Sequence, residues 1–145
     1  MKTLNNFING KSVPATSGKT SDLINPATGQ VFAKAPISSA TDVDSAMNAA
    51  AKAFEDFRDS TPSERQKALL KIADAIESRA DELVALESEN TGKPLAVTTS
   101  EEIPPMLDQI RFFAGAARNL EGRSAGAYMR GMTSFIRREP IGVCA

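Results

Sequence analysis

The sequence predicts an α/β fold, and three observations predict it. Residues 4–36 read as short strands separated by turns. Residues from about 42 to 121 change to a 3.6-residue apolar period over several helix-length stretches. Residues 133–145 return to strand-like patterning. With 145 residues the chain can bury a core. Its amphipathic helices nevertheless need a sheet or other helices as cover, and the strands are few and peripheral for that task.

The strand cluster is marked by its turns. Phe7-Ile8-Asn9-Gly10-Lys11 sets an Asn-Gly pair between strand-like flanks, and both residues tolerate the positive φ of a tight hairpin. Asn25-Pro26-Ala27-Thr28-Gly29 is a second turn, and residues 30–35 return as a strand.

Four helices follow. The first, 42–57, carries Val43, Met47, Ala50, Phe54 and Phe57, with Ala46 on the same face. Thr41 is its expected N-cap, and Asp42 and Asp44 suit the positive end of its dipole. The second, 62–77, opens on Thr61-Pro62-Ser63-Glu64, a capping box with proline at the first helical position. Its expected buried stripe is Ala68, Leu69, Ile72, Ala73 and Ile76. Ser78 is expected to cap a third helix, 79–90, bearing Leu83, Val84 and Leu86. Gly92 and Pro94 then stop it. The fourth, 98–121, carries Met106, Ile110, Phe113, Ala117 and Leu120, with Gly122 as its end. Pro104-Pro105 must start or kink this helix, because neither proline donates a backbone hydrogen bond. Residues 133–138 alternate as a strand. Ile141-Gly142-Val143-Cys144-Ala145 is apolar throughout and predicts a buried strand starting at Ile141.

Composition removes several function classes. The net charge of −1 gives no bulk attraction to nucleic acid or membrane. Residues 111–145 hold six arginines against two glutamates, net +4, which leaves −5 for residues 1–110. The plain reading is that these arginines meet acids elsewhere in a larger fold or an oligomer. One Tyr, no Trp and no recognition motif argue against nucleic-acid binding. No apolar run is long enough for a membrane span. A single cysteine and no apolar leader point to the cytoplasm.

The chemistry is sparse. Without histidine the chain lacks the commonest general base and metal ligand. It has no Gly-x-Gly-x-x-Gly turn and no phosphate-binding loop ending in Lys-Ser/Thr. Cys144 is the one thiol, set in an apolar run with no imidazole to activate it, so a buried, inert cysteine is expected. Glu101-Glu102, ahead of Ile103-Pro104-Pro105, reads first as a pair of helix-start carboxylates. A substrate-facing role is the second reading.

Six stretches occur together in one order: Phe7-Ile8-Asn9-Gly10; Asn25-Pro26-Ala27-Thr28-Gly29-Gln30; Asp42-Val43-Asp44 with Ala49-Ala50 and Ala53-Phe54; Thr91-Gly92-Lys93-Pro94; Phe112-Phe113-Ala114-Gly115; and Arg138-Glu139-Pro140-Ile141-Gly142-Val143. The set resembles the NAD(P)-dependent aldehyde dehydrogenases from about residue 7 to residue 145. The stretches at Glu102-Ile103-Pro104, 112–118 and 134–138 are most similar to the bacterial γ-aminobutyraldehyde dehydrogenases of putrescine breakdown.

The resemblance implies oxidation of an aldehyde to an acid. A cysteine thiolate attacks the carbonyl, a hydride leaves to NAD or NADP, and a glutamate activates water. In the family these groups, and those that hold the nucleotide, lie C-terminal to residue 145. The resemblance therefore assigns no catalytic or cofactor-binding residue here, and Cys144 matches a structural position. It implies that residues 1–122 are the outer helical part of the cofactor-binding domain and that 123–145 begin the oligomerisation strands. The catalytic domain is absent, and the complete enzyme is a homo-oligomer. On its substrate-channel helix Glu102, with Glu101, would attract the amine of 4-aminobutanal or another ω-aminoaldehyde, and Met106 would form an apolar wall. A monovalent-cation site is implied at the carbonyls of Leu23 and Ile24 and the side chain of Asn90, where asparagine replaces the family's aspartate and removes a charge. The expectation is an N-terminal fragment, inactive and without NAD by itself. The alternative is a short non-catalytic protein that pairs with a partner through its C-terminal strands.

Overall fold

Positive φ at Asn9 (52°) and Gly10 (73°) closes the first hairpin, as the Asn-Gly pair requires. It joins β2 (Asn6–Ile8) to β3 (Lys11–Val13) in antiparallel register, with Phe7 opposite Ser12. The structure is a computed structural model that describes residues 2–145. A three-stranded sheet has the order β1 (Lys2–Thr3), β5 (Val31–Pro36), β4 (Thr20–Ile24), with β1 parallel and β4 antiparallel to β5. The turn between β4 and β5 is tied by Asn25: its N–H donates to the Gln30 carbonyl at 2.9 Å, and its Oδ1 accepts from Ala27 N–H at 2.9 Å.

Helix α1 (Ala40–Phe57) begins two residues before the sequence suggests. Its N-cap is Ser39, not Thr41. The reason is Asp42, whose carboxylate reaches back to accept the Ser39 N–H at 2.8 Å. The same carboxylate accepts the Thr16 N–H at 3.0 Å and the Thr16 hydroxyl at 3.0 Å, which ties the loop after β3 to the start of α1.

Helix α2 (Pro62–Glu77) has the predicted bounds and the predicted box: the Thr61 N–H donates to Glu64 at 2.7 Å, and the Glu64 N–H donates to the Thr61 hydroxyl at 3.3 Å. Helix α3 (Ala80–Thr91) is capped by Arg79, not Ser78. Ser78 instead ends α2 and donates its hydroxyl to the Ala75 carbonyl at 2.9 Å, while Arg79 pairs with Glu82 at 2.6 Å. Gly92 terminates α3 in the left-handed region at φ +78°.

The fourth helix differs from a single 98–121 rod. It starts as one turn, α4 (Leu95–Val97), passes through a π turn at Thr98–Glu102, and continues as α5 (Ile103–Ala116). The cause is local. In a regular α-helix the Pro104 ring would clash with the carbonyl four residues back, and Pro104 and Pro105 donate no hydrogen bond. The extra residue of a π turn absorbs this. The helix ends at Ala116, well short of Gly122. Gly122 instead lies against the Ile136 backbone, where an added Cβ would stand 2.1 Å from the carbonyl oxygen.

Helices α2 and α5 form the main helix pair. Arg111 reaches Glu77 at 2.5 Å and Asp74 at 3.3 Å, while Arg118, further along the chain, reaches Gln66 at 3.1 Å, further back. The pair is therefore antiparallel. Ala73 of α2 and Ala114 of α5 are fully buried, small residues that let two backbones approach. The buried face of α5 is not the predicted one. Leu107 and Ala114 are inside, while Met106, Phe113 and Leu120 of the predicted stripe are exposed.

The described core is small: Ala15, Ala33, Ala73, Val84, Leu107 and Ala114. The apolar spacing predicts Val43, Met47 and Phe57 of α1, Ala68 and Ile72 of α2, and Leu86 of α3 inside; all six are exposed. The helices here form a layer without the cover that their apolar faces are made for.

At the C-terminal end β6 (Ser124–Gly126) pairs with β7 (Ser134–Phe135) in an antiparallel ribbon, and β7 is shorter than the predicted 133–138. Residues 141–145 form no strand, Ile141 is 93% exposed and the Cys144 thiol is exposed. The expected buried cysteine is corrected on this point: among the described residues no strand pairs with this segment.

Candidate functional site

The π turn before α5 carries the acidic pair. Glu101 is exposed and its Oε1 accepts the Ser100 hydroxyl at 3.1 Å. Glu102 is half-buried, and its Oε2 lies 3.0 Å from Lys93 Nζ. Lys93 also pairs with Glu87 at 3.1 Å. Its ammonium thus bridges two carboxylates, one from the last turns of α3 and one from the π turn. Glu102 first, then Glu87, hold the Lys93 pKa above the ordinary lysine value. Met106 stands one turn beyond Glu102 on α5 with 38% of its surface exposed.

Neither glutamate acts as a free helix-start carboxylate. The helix is continuous from Leu95, so its N-terminal amides lie elsewhere. Pro94 occupies the N-cap position and its carbonyl accepts the Thr98 N–H at 3.1 Å and the Thr98 hydroxyl at 3.3 Å, which anchors the buried Thr98. The π turn then turns the chain around that anchor and presents Glu102 towards the α3 end.

Glu87 carries no signal of this role in the sequence, and Lys93 carries a weak one: a cation just past a glycine helix stop complements the carbonyl end of the dipole. Its pairing with Glu102 has no linear signal, because the spacing runs through a glycine stop, a proline and a π turn.

Leu23 and Ile24 lie at the end of β4, where the pairing register shifts between them, and Asn90 is exposed near the end of α3. The two regions approach through the neighbouring turns: Gly92 lies against Pro26, with an added Cβ only 2.9 Å from Pro26 Cγ. Among the described residues no group of three or more His, Cys, Asp or Glu could hold a metal ion.

A concave region, about 530 Å³, lies between the α1–α2 turn and residues 137–140. Arg58, Arg65, Arg137 and Arg138 line it with Phe54 and Phe57. Arg138 donates to the Glu121 carbonyl at 3.0 Å, and Arg137 pairs with Glu139 at 3.4 Å. Several of the C-terminal arginines thus find partners within the chain.

An α/β layer with this helix order and this capped turn defines a class. Residues 13–145 match the family model described as the aldehyde dehydrogenase family, and the chain belongs to that family. It is 38% identical over 142 residues to the Bacillus subtilis protein DhaS, which is named as an aldehyde dehydrogenase, covering 94% of this chain. Among solved structures, an NAD-dependent aldehyde dehydrogenase from Sinorhizobium meliloti is 36% identical with a TM-score of 0.82, over 90% of this chain and 26% of its own. An aldehyde dehydrogenase from Bacillus cereus, solved as its NAD+ complex, is 33% identical with a TM-score of 0.90, over 97% of this chain and 29% of its own. The chain spans 28% of the length of DhaS. It matches the N-terminal region of the fold. No helix of the described residues is long and apolar enough to cross a membrane.

Proposed function

We propose that this chain is the N-terminal part of an NAD-linked enzyme that oxidises an aldehyde to its carboxylic acid. The observation that carries the reading is the match of residues 13–145 to the family, at 28% of a relative's length. Residues 1–122 contribute outer helices of the cofactor domain, and residues 123–145 begin the strands through which subunits assemble into a homo-oligomer. NAD is the acceptor by analogy with the Sinorhizobium meliloti and Bacillus cereus enzymes, and the cytoplasm is the compartment. No residue of this chain is assigned to the nucleotide. The 145-residue chain alone therefore produces no NADH with any aldehyde and takes up no stoichiometric NAD. Calorimetry that finds tight NAD binding to it would overturn the reading.

The substrate class follows from charge. Residues 87–102 contain Glu87, Glu89, Glu101 and Glu102 against a single cation, Lys93. The surplus of negative charge suits a cationic substrate. Glu102, assisted by Glu101, is the contact for the ammonium of 4-aminobutanal or a related ω-aminoaldehyde, with Met106 as the apolar wall. The test uses the complete enzyme. Glu102→Gln raises KM for 4-aminobutanal far more than for butanal, and an equal change for both would remove Glu102 from substrate recognition. The carbonyls of Leu23 and Ile24 with the Asn90 amide form a weak monovalent-cation position, which a potassium titration of activity in wild type and Asn90→Asp would test. A steeper potassium response in Asn90→Asp supports it; identical responses remove it.

A further inference from the structure

Lys93 presents its ammonium to two carboxylates at once. It lies 3.0 Å from Glu102 and 3.1 Å from Glu87. Its backbone is pinned on both sides. Gly92 closes α3 with its N–H donating to the Ser88 carbonyl at 2.9 Å, the Lys93 N–H donates to the Thr91 hydroxyl at 3.3 Å, and Pro94 begins the next helix. The lysine is therefore delivered to Glu102 from a fixed point, and the π turn delivers Glu102 to it from the other side.

We propose that Lys93 is a specificity-determining residue that takes up part of the Glu102 charge and thereby limits the preference for ω-aminoaldehydes over neutral aldehydes. This rests on the aminoaldehyde reading of Glu102. The physical argument is one of competition. Lys93 offers the same chemical group as the substrate, a primary ammonium, to the same carboxylate. A substrate ammonium must share Glu102 with it. Removing the lysine charge leaves Glu102 free to meet a substrate ammonium and makes that contact more favourable to a cationic substrate. The site is about two-fifths exposed at all three side chains, so water screens the effect and it amounts to about twofold to fivefold.

The sign separates this role from a merely structural one. A strut that only held Glu102 in place would, when lost, weaken binding of the amine. A competitor, when lost, strengthens it. In the complete enzyme, Lys93→Met lowers the ratio of KM for 4-aminobutanal to KM for butanal by about twofold to fivefold. Lys93→Arg, which keeps a cation on both carboxylates, retains the wild-type ratio. In a Glu102→Gln background the Lys93→Met change disappears. A ratio that rises or stays constant in Lys93→Met overturns the proposal, as does an effect that persists without the Glu102 charge. Lys93→Gln provides the same reading should Lys93→Met fail to fold. The two ideas fail separately: Glu102→Gln acting equally on both aldehydes removes the substrate contact, whereas a selective Glu102→Gln with an unselective Lys93→Met removes the competition alone.

Discussion

Gly92 and Pro26 are in contact across the two turns that frame this layer. Gly92 has φ +78°, and a Cβ built there would stand 2.9 Å from Pro26 Cγ. The stop of α3 and the Asn-Pro turn after β4 are thereby locked together, with Lys93 carried at the junction.

Gly92→Ala therefore meets two obstacles, a left-handed backbone and a proline ring. The backbone cost alone is about 1–2 kcal/mol, and the ring must also shift. We expect a clear fall in the thermal midpoint. Pro26→Ala should recover part of the loss in the double variant, because it removes Cγ. Equal loss in the single and double variants would show that the ring contact carries nothing.

Asp42 gives a pH dependence. Its pKa is lowered first by the Ser39 N–H and, against some opposing desolvation, by the Thr16 N–H and both hydroxyls. A carboxylate with a depressed folded-state pKa contributes stability at pH above its unfolded value. That contribution is lost as pH falls through the folded value. The thermal midpoint of the wild type should thus exceed that of Asp42→Asn at neutral pH, with the gap closing below the ordinary carboxylate range. A gap independent of pH would assign the loss to packing.

Thr61 is the N-cap of α2 and accepts the Glu64 N–H. Thr61→Ala should cost about 1 kcal/mol, and Thr61→Ser should cost much less because the hydroxyl is kept. Chemical denaturation of the three proteins checks the order. Similar midpoints for Ala and Ser would mean that the cap bond carries little of the stability.

The exposed apolar surface predicts association. Phe112 and Phe113 meet edge to face with centroids 5.3 Å apart, yet both rings are exposed, as are Val43, Phe57 and Ile141. Patches of this kind rarely stay open to water. Sedimentation of the 145-residue chain should show concentration-dependent association, reduced in Phe112→Ser/Phe113→Ser. A monomer at every concentration would contradict this.

Much of the fold was legible because its signals are local. The Asn9-Gly10 hairpin, the Thr61 capping box and the Gly92 stop are each fixed by the chemistry of a few adjacent residues. The misreadings involve residues whose role is set at a distance. Ser39 displaces Thr41 as a cap because Asp42 can serve Ser39 and Thr16 together. The α5 stripe differs because the face that meets α2 carries Arg111 and the buried Ala114, while Phe113 points to solvent. Cys144 is exposed because no strand pairs with 141–145 among the described residues. In the candidate site Glu101, Glu102 and Met106 could be named from the chain, whereas Lys93 and Glu87 could not.

The sequence by itself determined the class, the order of strands and helices, the Thr61 and Gly92 caps and the family resemblance, since turn, capping and periodicity signals act over a few residues. Only the tertiary structure decided which apolar faces are covered and which charges meet. Lys93 reaches Glu102 because a glycine stop and a π turn fold the intervening residues back on themselves. Arg111 reaches Glu77 because α2 and α5 run antiparallel. Such contacts depend on distance in space, which linear spacing does not encode once the chain leaves a regular helix or strand.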